Sequence, residues 1–374
     1  MIKYPYVNLG KQHKIYKSKF SKELTKVMVS GNFILGNNVK KFEDEFCKFI
    51  GTKYAVGVGS GTDALYLSLK YLNLKTSDEV ITVSNSYLST VSSIFLAGAK
   101  AKLIDVNYDD YQISVKEIEK KITKKTKAIV VVHLCGIPCD IKKIIKICKK
   151  KNITVIEDCA QAAGAMVERK KVGSFGYSGC FSLHPLKNLN AIGDAGIITT
   201  NNKSFYNWLI KARNNGHSSR DDCAFWSHNM RLDELHAAFL RIKLNNYNSV
   251  IKKRNSNVKL YKKNLSNLVD YPKIKKKNLA IYQTFIVKIK NGYRDNLQKY
   301  LLKKGFDTKV HYPLPVHKMK VYKDNYKKIK LPVTERLSKE ILTLPAMEYV
   351  SSKHINELTK TIKLFFSKNT SEKY

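Results

Sequence analysis

Short apolar runs alternate with amphipathic stretches along much of the chain, and this alternation predicts strands separated by helices. Residues 54–72 have the pattern of a strand, a turn of small residues and a helix, and residues 79–106 continue as strand, helix and strand. Residues 127–141 form another apolar run followed by a loop. Strands that alternate with helices are typical of a doubly wound, mostly parallel sheet. The pattern therefore predicts an α/β fold.

The last third of the chain follows a different pattern. A lysine-rich helical stretch over residues 251–268 precedes a strand pattern at residues 281–289 and a helix pattern at residues 293–305. With 374 residues, the chain is long for a single core. We therefore predict a large α/β domain over residues 1–248 and a smaller C-terminal α+β domain over residues 249–374.

Helix signals also precede the first predicted strand. An amphipathic pattern near residues 18–29 predicts one helix. Residues 31–39, GNFILGNNV, form a turn bounded by glycines, and Asn37 or Asn38 is placed to cap a helix that begins near Val39. This turn is thus predicted to lead into a second helix.

Two ionisable residues follow predicted strands at positions where a ligand would bind. In a parallel α/β sheet, ligands lie outside the carboxyl ends of the strands. The β-branched run 154–156 leads to Asp158, and the run 180–183 leads through a polar turn to Lys187. A structural ion pair would use the same two residue types, so the pair alone leaves both interpretations open. The strand pattern places Asp158 and Lys187 at one edge of the sheet.

Charge is the unusual feature of the composition. Lys and Arg number 68 against 30 Asp and Glu, a formal net charge of +38. Such a balance raises nucleic acid or an acidic membrane surface as partners. The lysines are dispersed, with only short clusters such as residues 275–277, and arginine, which base and phosphate recognition favour, is scarce. We therefore predict no nucleic-acid or membrane partner, and a positive field that attracts an anionic substrate.

Hydropathy and cysteine usage indicate the cellular compartment. No run of eighteen apolar residues occurs, and the N-terminus lacks the apolar stretch of a signal peptide. The seven cysteines are an odd number without metal-ligand spacing, and several lie within apolar runs. We predict a cytoplasmic protein with reduced cysteines and without a metal site.

Three motifs in the middle of the chain resemble those of a known family. They are IEDCAQAAGA at residues 156–165, FSLHPLKN at residues 181–188 and GDAG at residues 193–196. In this order they are similar to the DegT/DnrJ/EryC1/StrS sugar aminotransferases, fold-type I enzymes that depend on pyridoxal 5'-phosphate (PLP). The resemblance extends from residue 31 to about residue 345. It implies an aspartate-aminotransferase-like sheet domain and pyridoxamine phosphate (PMP) as the intermediate form of the cofactor.

The resemblance also implies roles for individual residues around the cofactor. Lys187 would form the Schiff base with PLP and act as general acid and base, and Asp158 would keep the pyridine nitrogen protonated. The turn within residues 54–72 would cradle the phosphate. The other implied contacts are Gly61, Thr62 and Ser182 at the phosphate, Gln161 at the phenolic oxygen, Tyr87 stacked on the ring, and Asn229 reaching the other subunit of a homodimer. For Asn229, a helix cap is the alternative interpretation.

The same resemblance implies a nucleotide-linked keto sugar as substrate and L-glutamate, converted to 2-oxoglutarate, as amino donor. The implied sugar contacts are Phe33, His184, His311 and Tyr312. The turn K-N-L-x-x-x-G-D-A-G, residues 187–196, is similar to that of 3-keto rather than 4-keto aminotransferases. We therefore expect amination of a dTDP-3-keto-6-deoxyhexose, giving a dTDP-3-amino-3,6-dideoxyhexose for a surface polysaccharide such as lipopolysaccharide O-antigen.

Other functions stay open at this point. A 4-keto sugar or a UDP-linked 3-keto sugar would use the same catalytic residues. A PLP-binding sensor without turnover would share the cofactor site but lack the reaction. A dehydratase on this fold replaces the Schiff-base lysine, so Lys187 argues against that class.

Overall fold

The computed structural model describes residues 2–326 and 328–370. Its α-helices are α1 Leu9–Lys14, α2 Lys17–Ser30, α3 Asn37–Ile50, α4 Gly61–Lys70, α5 Leu88–Leu96, α6 Val115–Lys121, α7 Ile141–Lys150, α8 Lys203–Ala212, α9 Glu234–Asn245, α10 Tyr247–Asn264, α11 Arg294–Lys303, α12 Lys320–Asn325, α13 Pro332–Glu340 and α14 Ser352–Thr370. Its strands are β1 Tyr54–Val58, β2 Glu79–Val83, β3 Lys100–Ile104, β4 Thr126–Val132, β5 Thr154–Asp158, β6 Met166–Val167, β7 Lys170–Lys171, β8 Ser178–Ser182, β9 Gly196–Thr200, β10 Asn278–Leu279, β11 Phe285–Lys288 and β12 Ile341–Leu344. Short 3-10 helices occupy Leu134–Gly136 and Val316–Lys318.

A seven-stranded sheet forms the centre of the molecule, in the order β1-β9-β8-β5-β4-β2-β3. Strand β9 runs antiparallel to both of its neighbours, whereas the pairs β8-β5, β5-β4, β4-β2 and β2-β3 are parallel. The predicted α/β class with a mostly parallel sheet is therefore confirmed. Its strands are short and β-branched, as expected for strands covered on both faces.

Helices cover the two faces of this sheet. One apolar cluster includes Phe42 and Phe46 of α3 with Ile144 of α7, and the other includes Leu67 of α4 with Phe205 of α8. All five side chains are fully buried. Because both faces of the sheet are covered by apolar side chains, a ligand is expected at the carboxyl ends of the strands, where the active site is predicted.

The C-terminal part contains the antiparallel pair β11-β12, against which α11 packs, and α14 packs on α10 and α11. The start of the chain joins this part, because the amides of Lys3 and Tyr4 both donate to the carbonyl of Gly305, at 3.0 and 2.9 Å. The predicted division at residue 248 stays a prediction. Among the described residues, no helix combines the length and the apolar character needed to cross a bilayer.

The cap of α3 differs from the prediction. The N-cap residue is Gly36, and neither Asn37 nor Asn38 caps the helix. Instead, the carboxylate of Glu234 in α9 accepts the amides of Asn38 and Val39, at 2.6 and 3.0 Å. A carboxylate at a helix N-terminus satisfies free amides and favours the helix dipole, so a distant residue took the capping role.

Candidate active site

The carboxyl ends of β5 and β8 form one rim of the sheet. The two strands are parallel neighbours, with Asp158 of β5 opposite Cys180 of β8. Strand β8 ends at Ser182, five residues before Lys187. The turn after β8 brings Lys187 back over the end of β5, since the charges of Lys187 and Asp158 affect each other's pKa. The two residues predicted from the strand pattern are thus brought together.

Asp158 is buried and only partly satisfied by the protein. Its Oδ2 accepts a hydrogen bond from Thr90 Oγ1 at 2.8 Å, and its Oδ1 accepts the amide of Ala160 at 3.1 Å. Thr90 is itself hydrogen-bonded to Ser86 at 2.8 Å. Burial raises the pKa of the Asp158 carboxyl, whereas the two hydrogen bonds and the charge of Lys187 oppose this rise. A carboxylate in this setting is placed to hold a positive charge nearby.

Lys187 is half-buried in the turn that follows β8. Its amide donates to the carbonyl of His184 at 2.8 Å, which closes the turn. Burial lowers the pKa of its ammonium group, and the charge of Asp158 opposes the shift. A lowered pKa raises the fraction of the neutral amine, the form that acts as nucleophile or base.

Side chains from both parts of the chain surround this pair. Gln161 accepts the amide of Cys135 at 2.7 Å through Oε1 and donates to the hydroxyl of Tyr312 at 3.0 Å through Nε2. The ring of Tyr87 lies 6.3 Å from that of Tyr312 and is 63% exposed. An exposed aromatic face beside buried polar groups offers a surface on which a flat ring can stack.

Two histidines lie near the lysine. His311 shares a 3.0 Å hydrogen bond with Thr343, and burial, helped by the charge of Lys187, lowers its pKa to about 4. His184 accepts the amide of Leu186 at 3.1 Å, and burial also lowers its pKa. Because its pKa lies far below 7, His311 is neutral near neutral pH and offers hydrogen bonds without charge.

A tight approach of two elements forms a cradle at the start of α4. A Cβ at Gly61 would lie 2.6 Å from Cβ of Ser182, so only glycine fits there. The hydroxyl of Ser60 caps the helix, and Thr62 donates its own hydroxyl to Ser89 at 2.8 Å. Within the described residues, the amides of Gly61 and Thr62 have no protein acceptor. Free amides at a helix N-terminus are suited to a phosphate.

The model of one protein family matches residues 14–363, and it is described as the DegT/DnrJ/EryC1/StrS aminotransferase family. The chain belongs to this family. Members of the family are PLP-dependent nucleotide-sugar aminotransferases, so the chain is an enzyme. The predicted family, fold type and cofactor are confirmed.

Three relatives illustrate the match. The dTDP-3-amino-3,6-dideoxy-alpha-D-galactopyranose transaminase of Aneurinibacillus thermoaerophilus is 36% identical over 359 residues, 96% of this chain and 98% of that protein. The UDP-N-acetyl-3-dehydro-alpha-D-glucosamine 3-aminotransferase of Acidithiobacillus ferrooxidans is 31% identical over 96% of this chain and 97% of that protein. The crystal structure of S. venezuelae DesV with a ketimine intermediate superposes with a TM-score of 0.94 at 29% identity, covering 98% and 99% of the two chains.

The residues present in this aminotransferase fit PLP. The cradle at Gly61 and Thr62 has amides free for the phosphate, and Asp158 retains acceptor capacity for a protonated ring nitrogen. Lys187 stands at the same rim with a lowered pKa. The exposed ring of Tyr87 can cover a flat heterocycle. The individual contacts of these residues with the cofactor stay predictions.

Two predicted residues lie apart from this group. Phe33 is 54% exposed, and its carbonyl accepts the amide of Glu234 at 3.2 Å. Asn229 is exposed and forms a bridge with Asn214, beside the segment whose Met230 carbonyl accepts the amide of Gly59 at 2.9 Å. No hydrogen bond joins Phe33 or Asn229 to the lysine pair within residues 2–326 and 328–370. Helix α9 begins only at Glu234, so Asn229 is not its cap.

The structure also adds residues that the sequence did not single out. Ser86, Ser89 and Thr90 lie at or just before the start of α5, and two of them contact groups of the site, Ser89 at Thr62 and Thr90 at Asp158. Hydroxyl residues near a helix start usually indicate a cap, so the motif SNSYLST carried no signal of these long-range contacts.

Proposed function

We propose that this aminotransferase transfers an amino group from L-glutamate to the 3-keto group of a dTDP-3-keto-6-deoxyhexose. The observation that carries the proposal is the turn 187–196, which begins at Lys187 and ends in the GDAG form. The charge of Asp194 in this turn acts on the pKa of His184, so the turn folds back toward the predicted sugar contact. The relative from Aneurinibacillus is named for a dTDP-3-amino-3,6-dideoxy sugar, which supports the same choice.

Bound PLP would supply an aldehyde that carries the amino group and a ring that withdraws electrons from the reacting carbon. In its neutral form, Lys187 Nζ removes the α-proton of the amino acid and later delivers a proton to the sugar carbon that becomes the amine carbon. Asp158 would hold a proton on the ring nitrogen and so favour electron withdrawal. Gln161 would hydrogen-bond the phenolic oxygen of the ring, and Tyr312, which accepts a hydrogen bond from Gln161 at 3.0 Å, would contact the sugar.

The sugar would bind on the exposed side of the lysine. His311 contributes a neutral ring, since its pKa is lowered to about 4, and it can bond a sugar hydroxyl without attracting a second anion. His184 flanks the lysine turn, and Phe33 supplies an exposed apolar ring. The excess of lysine over acidic residues favours capture of an anionic nucleotide sugar. We keep the cytoplasm as the proposed location.

We also propose that two subunits complete each site. Asn229 is exposed in the single chain and lies beside the segment next to the phosphate cradle, a position from which it can serve a neighbouring subunit. Asn229→Ala should weaken PLP binding while leaving the unfolding temperature within a few degrees. Light scattering that finds only monomers of the full chain would overturn the assignment of Asn229.

The substrate is tested by regenerating the cofactor from its amine form. The purified protein is converted to the PMP form with L-glutamate and mixed separately with dTDP-3-keto-, dTDP-4-keto- and UDP-linked 3-keto-sugars, and the absorbance of PLP is recorded. Recovery with the dTDP-3-keto sugar is expected. Recovery only with the 4-keto sugar or only with the UDP sugar would overturn the substrate while leaving Lys187 in place. Conversion by another amino acid but not by L-glutamate would overturn the donor.

A further inference from the structure

One side chain from the C-terminal part holds the peptide groups on both sides of Lys187. Gln283 Nε2 donates to the carbonyl of Leu186 at 2.7 Å, and the amide of Asn188 donates to Gln283 Oε1 at 2.9 Å. A single amide side chain therefore forms the pair of hydrogen bonds that a residue of a neighbouring strand would make. The residue between the two bonded groups is the lysine.

The segment that carries Gln283 is itself held in place. Arg254 of α10 donates to the carbonyls of Tyr282 and Gln283, at 3.2 and 3.4 Å. Asn188 donates through Nδ2 to the carbonyl of Ile281 at 3.1 Å, a third bond between this segment and the lysine turn. The backbone of Gln283 is thus held by hydrogen bonds that do not involve its own side chain.

A second set of buried contacts ties the end of the turn to the same support. Asn190 donates to Gln12 at 3.1 Å and accepts from Lys243 at 2.5 Å. Gln12 donates to Glu348 at 2.6 Å, and Glu348 also accepts from Arg254 at 3.0 Å. The turn is therefore bonded at Leu186, Asn188 and Asn190 to groups that converge on one arginine.

The backbone at Lys187 is fixed by hydrogen bonds, because side-chain packing around the lysine turn is incomplete. Leu186, which precedes Lys187, is 51% exposed, and the turn contains no regular secondary structure. A lysine side chain has a flexible stem of four carbons, so its amine is placed only as well as its backbone. Catalytic groups need placement to within about 0.5 Å, and a shift of about 1 Å costs about a hundredfold in rate.

We propose that Gln283 is a positioning residue that fixes the backbone of Lys187. The inference rests on the proposed role of Lys187 and adds to it the residue that sets the position of its amine. Gln283 acts from the C-terminal part of the chain, about a hundred residues from the turn it holds, as the separation of 95 residues from Asn188 shows.

The test uses the full-length variant Gln283→Leu, which keeps the size of the side chain and removes both hydrogen bonds. In the PMP-loaded protein, we expect hydrogen exchange of the Asn188 amide to become about tenfold faster, the effect of losing one to two hydrogen bonds. In the cofactor-free protein, we expect the rate of covalent PLP loading onto Lys187 to fall about tenfold. Neither measurement requires a sugar substrate.

PMP provides the matched ligand, because it binds the same cradle but has no aldehyde to react with the lysine. We expect the Kd of PMP to stay within about twofold of the wild type. Gln298→Leu is the matched protein control, since Gln298 of α11 also donates to a carbonyl, that of Thr308 at 3.1 Å. Gln283→Glu, which keeps the acceptor for Asn188 but loses the donor to Leu186, should give an intermediate loading rate.

The outcomes separate three explanations. Slower PLP loading with normal PMP binding in Gln283→Leu supports the proposal. If the loading rate and the affinity for PMP fell by the same factor, the role of Gln283 would be merely structural and the proposal would be overturned. Unchanged exchange at Asn188, or loading as fast as in Gln298→Leu, would also overturn it. Failure of every keto sugar to react with the wild type would overturn the substrate but leave the loading and exchange results to decide on Gln283.

Discussion

Two neighbouring carboxylates on β5, Glu157 and Asp158, are both buried but differ in what surrounds them. The oxygens of Glu157 accept the ring nitrogen of His133 at 3.0 Å. They also accept three backbone amides, those of Gly173, Phe175 and Gly176, at 2.9, 2.8 and 2.7 Å. Among the described residues, Asp158 accepts two hydrogen bonds, from one hydroxyl and one amide, and it faces a lysine.

The difference shows that burial of a carboxylate does not by itself indicate a reactive site. Adjacent residues of a strand point to opposite faces, so the two acids enter different surroundings. Glu157, His133 and Cys159 lie within 4.8 Å of one another, a spacing that suits a metal, but four donors already fill the Glu157 oxygens. Glu157 holds the loop before β8, whereas Asp158 keeps acceptor capacity for a ligand.

Glu157→Gln should have the largest effect on stability. The amide would place two donors against groups that are themselves donors, which breaks a buried charged network. We expect the free energy of unfolding, measured by urea denaturation, to fall by about 3–5 kcal/mol. Asp158→Asn is the control and should lose less than about 1 kcal/mol. Equal stability of the two variants would contradict the division of roles.

Asp158→Asn should affect activity rather than stability, in contrast to Glu157→Gln. We expect a folded protein with a large loss of activity. An amide cannot hold the proton on the ring nitrogen, so the developing charge is less stabilised. We expect kcat with L-glutamate and the keto sugar to fall about 10²–10³-fold. Near wild-type turnover would show that the open carboxylate is not the group that supports the cofactor ring.

Thr90→Val tests the hydrogen bond that favours the ionised form of Asp158. Thr90 opposes the rise in the Asp158 pKa, so its loss raises that pKa further. On acidification, the carboxylate is then lost at a higher pH, and the acid limb of the kcat/KM profile should move to higher pH. At neutral pH, kcat should fall about tenfold.

Thr25→Val, at an exposed position of α2, is the control for Thr90→Val and should change neither measurement. An acid limb that stays in place, or moves to lower pH, would contradict the role of Thr90.

His311→Gln should have the smallest effect on activity. It extends the comparison of the two carboxylates to two histidines, His133 and His311. His133 is hydrogen-bonded through both ring nitrogens, whereas His311, within the described part of the chain, is hydrogen-bonded to Thr343 through Nδ1 alone. Because its pKa is about 4, His311 is already neutral between pH 6 and 9, and the activity profile over that range should not change shape. The KM for the sugar should rise about threefold to tenfold with kcat nearly constant. Disappearance of an ionisation near pH 6.5 in the variant would contradict the neutral state.

The local sequence pattern was sufficient to predict the strands and to bring Asp158 and Lys187 to one edge of the sheet. The β-branched run that ends in Asp158 and the apolar run that ends before Lys187 are short-range features, and strand polarity alone places both at one rim. The tight turn at Gly61 was also visible as small residues between a strand and a helix. The substrate could be approached only through resemblance, since pocket shape has no local pattern.

Contacts between distant segments were decided by the tertiary structure. Thr90 lies 68 residues from Asp158, and Glu234 lies 196 residues from the α3 amide that it caps. Both residue types usually serve near neighbours at helix starts, so the sequence favoured local interpretations for them. The cap of α3 was predicted wrongly for this reason.

The sequence by itself determined the α/β class, the cofactor family and the edge of the sheet at which Asp158 and Lys187 meet. These follow from periodicity and from short motifs, which are properties of neighbouring residues. The tertiary structure decided which buried carboxylate keeps acceptor capacity for a ligand and which side chain holds the lysine turn. Burial and hydrogen bonding depend on every segment that surrounds a group, and these segments meet only when the chain is folded.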